Sequence, residues 1–482
     1  MATIESLGSE LNTEGGYRMV VDGRLIGTED SPVYNPATRQ VVAMVPRASR
    51  EQLNEAVDAA TRAFAGWAAT PLTDRQAAVT RMADLLEQHA DEFMSLLTRE
   101  QGKPRAGAEW EVLGSVLWLR EIASQAIPDD TLLDDGDRRV VVRRPPLGVV
   151  GAITPWNFPI LLAVWKIAPA LVAGNTIVVK PSPFTPLCTL KFGELWRETV
   201  PAGVLNVLSG DDDLGRWMTA HPGIAKIAFT GSTDTGRHVM RSASDTIKRL
   251  TLELGGNDPA IVLPDVDAQE VAPQLFWAAF QNNAQFCNAT KRLYVHDSVY
   301  DEVLDALTAY ARTVVTGDGT DPATGLGPIQ NEPQYQKVKE FFEDCRAHGH
   351  RFAVGGEIDE SAPGWFVPVT IVDNPPEDSR VVQEEPFGPI LPMLRWSDED
   401  DVVARANDTQ WGLGASVWGS DLDRARRIAE RIEAGTVWIN EVHQYSPHQP
   451  FGGRKQSGLG CENGVDGLAE YTNWQTITLA KS

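Results

Sequence analysis

Four cysteines, Cys188, Cys287, Cys345 and Cys461, are the first candidate nucleophiles in this chain of 482 residues. They lie far apart and form no Cys-x-x-Cys pair, which argues against zinc ribbons, redox dithiols and a disulfide framework. A lone cysteine is most often a small buried apolar side chain, and Cys188 and Cys345 read that way. Cys287 has different neighbours. It ends the run Phe280-Gln281-Asn282-Asn283-Ala284-Gln285-Phe286-Cys287. A carboxylate, Glu253, precedes it by 34 residues and sits between Leu252 and Leu254 ahead of Gly255-Gly256, a setting that favours partial burial. Other distinctive strings are Thr154-Pro155-Trp156-Asn157-Phe158-Pro159, Lys180-Pro181-Ser182-Pro183 and Phe229-Thr230-Gly231-Ser232 with Gly236 beyond. Two more are Glu384-Glu385-Pro386-Phe387-Gly388-Pro389 and Pro450-Phe451-Gly452-Gly453-Arg454-Lys455-Gln456-Ser457-Gly458.

In this order, over nearly the whole chain, these strings resemble the aldehyde dehydrogenase superfamily, of the NAD(P)-dependent, non-acylating kind. The separation of Glu253 and Cys287 matches as well. The resemblance implies an α/β fold with a Rossmann-like nucleotide-binding domain, an α/β catalytic domain and a small β oligomerisation arm. The expected spans are 1–124 with 147–255, 256–471, and 125–146 with 472–482. The implied activity is oxidation of an aldehyde to a carboxylic acid with hydride transfer to NAD(P).

The residues suit that chemistry. A thiolate adds readily to a carbonyl, so Cys287 is the expected nucleophile and a thiohemiacetal the first adduct. The side-chain amide of Asn157 and the backbone N–H of Cys287 would hold its oxyanion. Collapse of the adduct expels hydride and leaves a thioester. Glu253, raised in pKa by a dry pocket, would be the general base for its hydrolysis. Lys166 and Glu462 match family positions that assist proton movement and hold the site. His443 and His448 match no catalytic position and read as pocket-lining or surface residues.

For the cofactor, the resemblance points to Thr154, Pro155, Trp156, Lys180, Ser182, Pro183, Gly231, Ser232, Leu254, Glu385 and Phe387. There is no Gly-x-Gly-x-x-Gly fingerprint. The Gly231-Ser232 turn would offer backbone N–H groups and a helix N-terminus to the pyrophosphate. Lys180 would lie by the adenosine ribose, Glu385 would bond the nicotinamide ribose, and Phe387 would pack beside the ring. Three departures from the family pattern matter. Pro183 replaces a carboxylate common in NAD-preferring relatives; NAD is expected, because no further Arg or Lys lies within 180–185, and NADP stays open. Ala284 replaces a usual glycine, so a small backbone adjustment is expected. Cys461 takes a position that is commonly arginine.

Phe158, Leu161, Leu162, Trp165, Phe286 and Tyr445 match pocket positions and suggest an apolar tunnel for an aromatic or medium-chain aldehyde, with Gln281 as one polar group. Without an arginine at these positions, a dicarboxylic semialdehyde is less favoured. The alternatives are a CoA-acylating relative, against which Glu253 argues, a catalytically silent homologue, and a thiol esterase side activity.

The elements that must position these residues are legible in the apolar pattern. Residues 50–124 read as helices, with stripes Ala56, Ala60, Phe64, Trp67 and then Met82, Leu85, Leu86, punctuated by Pro71 and Pro104. Short strands at 149–153, 176–179, 204–208, 226–229 and 250–254 alternate with helices at 159–173 and 186–199. That is the pattern of a parallel sheet covered on both faces, with ligands at the carboxyl ends of its strands. A second series has strands at 259–263, 292–295 and 437–440 and a helix at 300–314. Residues 137–144 and 475–479 read as strands that leave the main body and fit an arm extending a neighbour's sheet, giving a homodimer or homotetramer.

The bulk composition sets limits. Hydrophobic residues make up 42% and charged residues 23%, as in ordinary soluble proteins. A formal net charge of -23 would repel nucleic acid and anionic membranes. Residues 1–10 lack the pattern of a signal peptide, and the longest apolar segment, 158–173, is interrupted by Lys166. A cytoplasmic protein is expected.

Overall fold

The computed structural model describes residues 16–481. Residues 1–10, read above for a leader, lie outside that range. No described helix is long and apolar enough to cross a membrane.

An eight-stranded sheet forms the first half. Its order is Arg24–Ile26, Met19–Val21, Leu205–Val207, Thr176–Lys180, Val149–Ile153, Lys226–Thr230, Arg249–Glu253, Gly458–Leu459. The five middle strands are parallel, and four of them are short runs of β-branched and small apolar residues whose members are nearly all buried. Burial on both faces is why they read as continuous apolar strings rather than alternating ones. Val149–Ile153 pairs with Thr176–Lys180 on one side and Lys226–Thr230 on the other. The strand order reverses there, which opens a crevice at the carboxyl ends between Thr154 and Gly231.

Helix Pro159–Ala173 follows the first of these strands, starts on a proline and ends at Gly174 with φ 95. Phe158 gives it no side-chain cap. Glu111, from helix Arg105–Ala123, accepts from the N–H groups of Ile160 at 2.8 Å and Leu161 at 3.2 Å instead. Glu100 does the same for Leu187 and Cys188 at the start of helix Leu187–Trp196. The helical layer at 50–123 thus supplies anionic caps to the helices that build the crevice.

The second sheet has seven strands in the order Arg351–Val354, Thr370–Asp373, Ile390–Trp396, Thr290–His296, Asp258–Val262, Gly414–Trp418, Thr436–Ile439. All pair in parallel except the Arg351–Val354 edge. Arg138–Arg143 and Gln475–Ala480, read as strands that leave the body, pair antiparallel with each other, and Asp130–Asp134 completes a three-stranded sheet.

Candidate active site

Cys287 follows helix Ala268–Phe280 on a loop of unusual backbone. Asn282, Asn283 and Ala284 have φ of 53, 55 and 59, three successive left-handed residues. Such residues cost roughly 1–2 kcal/mol each when a Cβ is present, so the turn must be held from outside. Gln285 does this: its Nε2 donates to Asn282 O at 3.0 Å and Pro328 O at 3.1 Å, and its Oε1 accepts from Gln330 N–H at 2.8 Å. Ala284 adopts the left-handed conformation itself, so alanine carries the strain that a glycine there would relieve.

Asn157 is buried where the Val149–Ile153 strand passes into helix Pro159–Ala173. Its Nδ2 donates to Gln285 O at 3.1 Å, which fixes the amide against the loop that carries Cys287. Its carbonyl accepts from Lys103 Nζ at 3.0 Å, and that ammonium is also paired with Glu111 inside the core. The same lysine lies 4.0 Å over the Phe158 ring.

Glu253 ends its strand beside the crevice, and its carbonyl accepts from Gly231 N–H at 3.0 Å. The short strand Gly458–Leu459 pairs with Leu252 and Glu253 from the other side. Both carboxyl oxygens are buried and have no hydrogen-bond partner among the described residues. Burial pushes this carboxyl well above its ordinary range; the Glu462 charge raises it further, and Lys166 opposes them. Lys166 and Glu462 meet as a fully buried pair at 2.8 Å, with Lys166 Nζ also donating to Thr230 Oγ1 at 2.8 Å. Burial pushes the Cys287 thiol up to about 12, with Glu253, Asp258 and Glu385 adding to the rise and Lys291 opposing it. At neutral pH the neutral thiol is therefore the form present.

Cys287 and Glu253 open into one narrow cavity, with about 30 Å³ of free space, enough for a water. Phe158, Leu161, Leu162, Trp165, Phe286 and Tyr445 all line it, as expected, and so does Leu254. Trp110 and Phe451 complete the wall. Outside lies a wider vestibule of about 400 Å³, where Gln281 joins Trp110, Phe158 and Trp277. His443 is buried behind the wall, stacked on Phe286 at 4.3 Å, with Nε2 3.2 Å from Asn288 O and Nδ1 2.9 Å from the Gln281 amide. Burial holds it down to about 4, so the ring is neutral. His448 is at the surface, 2.8 Å from Glu121. Tyr445 is fixed by Asn288 Nδ2, which donates to its hydroxyl at 2.6 Å.

A separate cleft of about 790 Å³ gathers Thr154, Pro155, Trp156, Lys180, Ser182, Pro183, Gly231 and Ser232. Ser232 caps helix Thr233–Ala243 by accepting from Thr235 N–H, so that helix presents its N-terminus to the cleft. A Cβ on Gly231 would meet the Phe229 ring at 2.5 Å, and one on Gly236 would meet Leu254 at 2.6 Å. A cradle of this size, with a helix N-terminus and glycines where side chains would intrude, fits a dinucleotide. Lys180 is buried and donates to Pro181 O at 3.2 Å; burial pushes it down to about 8, with Asp212 opposing. Phe387 packs edge-on against Trp156 at 5.4 Å. Glu385 accepts from Gly256 N–H at 3.1 Å and pairs with Lys291 at 3.3 Å, so it stands between cleft and nucleophile.

Several residues escaped the sequence reading. Arg216 and Arg241 line the cleft from helices remote from 180–185. Lys103 and Glu111 act through tertiary contacts that no local spacing reveals. Lys291 did leave a signal: it and Arg292 are adjacent cations in an otherwise apolar buried strand. Cys461 is half-buried, its thiol pushed up to about 12 by burial and by Glu470 and its other acidic neighbours. Among the described residues all four cysteines are free, and no cluster suits a metal ion.

Residues 26–477 match the sequence profile of the aldehyde dehydrogenase family. The phenylacetaldehyde dehydrogenase of Pseudomonas fluorescens is 40% identical over 481 residues, covering 96% of each chain. Among solved structures, the NAD+ complex of an aldehyde dehydrogenase from Bacillus cereus superposes with a TM-score of 0.95 at 34% identity, covering 100% of this chain and 99% of that one. Betaine aldehyde dehydrogenase from Staphylococcus aureus, also in complex with NAD+, gives 0.94 at 32% identity over 97% and 95%. The profile, the relatives and the fold agree with a half-buried cysteine and a buried carboxylate sharing a cavity near a dinucleotide-sized cleft, and the chain belongs to the aldehyde dehydrogenase family.

Proposed function

We propose that this enzyme oxidises an apolar aldehyde, aromatic or medium-chain, to its carboxylic acid through a thioester on Cys287, with NAD as the expected hydride acceptor. The observation that carries the reading is the shared cavity: Cys287 and Glu253 open into the same narrow, largely aromatic space. Cys287 loses its thiol proton to water in the cavity and adds through its sulfur to the aldehyde carbon. The Asn157 amide has one N–H engaged by Gln285 O, which leaves the second for the oxyanion. A nicotinamide held in the cleft would accept the hydride that leaves the adduct carbon. Glu253, unpartnered and raised in pKa, takes a proton from the water that cleaves the thioester. The Lys166–Glu462 pair lies behind it as the next ionisable station. Phe158, Trp165, Phe286, Tyr445 and Phe451 suit a ring better than a charged tail, and a relative named for phenylacetaldehyde agrees with this.

We assign residues 16–124 with 147–255 to nucleotide binding and 256–471 to catalysis. The three-stranded sheet at 130–134, 138–143 and 475–480, with Leu132 and Trp474 exposed, is where we place subunit contact. A graded aldehyde panel assayed with NAD and with NADP tests the central reading. Acid is the expected product, with aromatic aldehydes preferred and Cys287→Ala inactive while still binding nucleotide. Acyl-CoA formation on adding CoA, or oxidation retained in Cys287→Ala, would refute it.

A further inference from the structure

Lys291 is buried near the start of strand Thr290–His296, immediately beyond the nucleophile loop. Its Nζ donates to Cys287 O at 2.5 Å and to Phe286 O at 3.1 Å, and lies 3.3 Å from the Glu385 carboxylate. An ammonium has three donors, and these contacts take all three. Glu385 in turn accepts from Gly256 N–H, three residues beyond Glu253. One cation thus touches the backbone of the nucleophile and the carboxylate assigned above to the nicotinamide ribose. Its neighbour Arg292 is engaged elsewhere, by the carbonyls of Asn257, Arg405 and Ala406. Around the Cys287 thiol, Glu253, Asp258 and Glu385 contribute negative charge and Tyr445 a neutral phenol, while Lys291 contributes positive charge.

We propose that Lys291 is a positioning residue that couples the nucleotide site to the nucleophile, by holding the Cys287 carbonyl and the Glu385 carboxylate on one ammonium. The inference rests on the reading in which Cys287 reacts and Glu385 binds the nucleotide. The Lys291 donors are already occupied by the Cys287 and Phe286 carbonyls and the Glu385 carboxylate, so this lysine is not assigned as the base of the thiol. Its effect is geometric and electrostatic: it anchors the loop and offsets the carboxylates that hold the thiol protonated.

The test uses the full chain with Lys291→Met, which keeps length and loses charge, and Lys291→Arg, which keeps charge. Two quantities are read: NAD dissociation constant by protein fluorescence, and the pH profile of Cys287 alkylation by iodoacetamide without nucleotide. Lys291→Met is expected to weaken NAD binding by about fivefold to tenfold and to move the alkylation profile to higher pH, with Lys291→Arg restoring both in part. A purely packing role would change neither in this charge-dependent way. If Lys291→Met does not fold, Glu385→Gln probes the pair from the other side. It should weaken NAD binding too, but move the alkylation profile to lower pH, because a carboxylate that raises the thiol is gone. A folded Lys291→Met with the wild-type profile and affinity overturns the inference, as does a Glu385→Gln profile that stays put or rises. A wild-type chain that neither binds NAD nor reacts at Cys287 overturns the active-site reading, and this inference with it.

Discussion

The side-chain amide of Asn157 donates to the main-chain carbonyl of Gln285 across 3.1 Å, a contact spanning 128 residues of chain. It fixes the Asn157 amide against the loop that carries Cys287, and in the proposed reaction that amide is the oxyanion donor. Asn157→Ala removes that donor and leaves the nucleotide cleft intact. The expected result is a fall in kcat of about 100-fold to 1000-fold with NAD affinity unchanged, read by steady-state kinetics and nucleotide titration. Equal losses in kcat and NAD affinity would contradict the assignment.

Glu253 predicts a pH-dependent second step. Its carboxyl is raised by burial first, so the ionised form, which in the proposed reaction activates water, accumulates only as pH rises. Thioester hydrolysis should therefore accelerate toward alkaline pH. Glu253→Gln should flatten that limb and leave a stoichiometric burst of reduced nucleotide. Stopped-flow absorbance separates burst from turnover; loss of the burst itself would count against a hydrolytic role.

His443 links acidity to stability. Its folded-state value is about 4 against an ordinary 6.5, so between those values the unfolded chain binds more protons than the folded one. Stability from this group is present above pH 6.5 and is lost as pH falls toward 4, by about 3 kcal/mol in total. Urea unfolding at pH 7, 5.5 and 4 should show a smaller acid loss in His443→Gln than in wild type.

Lys103 and Glu111 form a buried pair that supports Asn157 from below. Lys103→Met leaves the Glu111 carboxylate without its cation and should destabilise the fold by about 3–5 kcal/mol. Lys103→Met combined with Glu111→Gln should recover part of that loss. Denaturant titration of both variants measures it, and a cost in the double variant equal to or above the single one would contradict the pairing.

Local chemistry made part of this legible in the sequence. Strand Val149–Ile153 and helix Pro159–Ala173 fall where they were read, because a continuous apolar run and a proline start are local signals. Neighbouring strands agree to within a residue or two: Leu205–Val207 is shorter than the apolar run suggested, and Thr176–Lys180 one residue longer. The short strands Met19–Val21, Arg24–Ile26 and Gly458–Leu459 carried no usable signal, since two or three residues become a strand only by meeting a partner. The same holds in the site. Cys287, Glu253 and the six pocket residues were named by their strings, and one cavity gathers them. Lys103, Glu111 and Trp110 were not, because their roles exist only once helix Arg105–Ala123 packs on helix Pro159–Ala173.

The small strand Gly458–Leu459, beside Glu253, has a consequence for biosynthesis. It and Glu462 reach the base from the last few dozen residues of the chain. During translation, the cysteine and the base emerge long before the segment that seals and charges their surroundings. A nascent chain therefore holds Cys287 and Glu253 without their finished enclosure until residues 458–462 have been made.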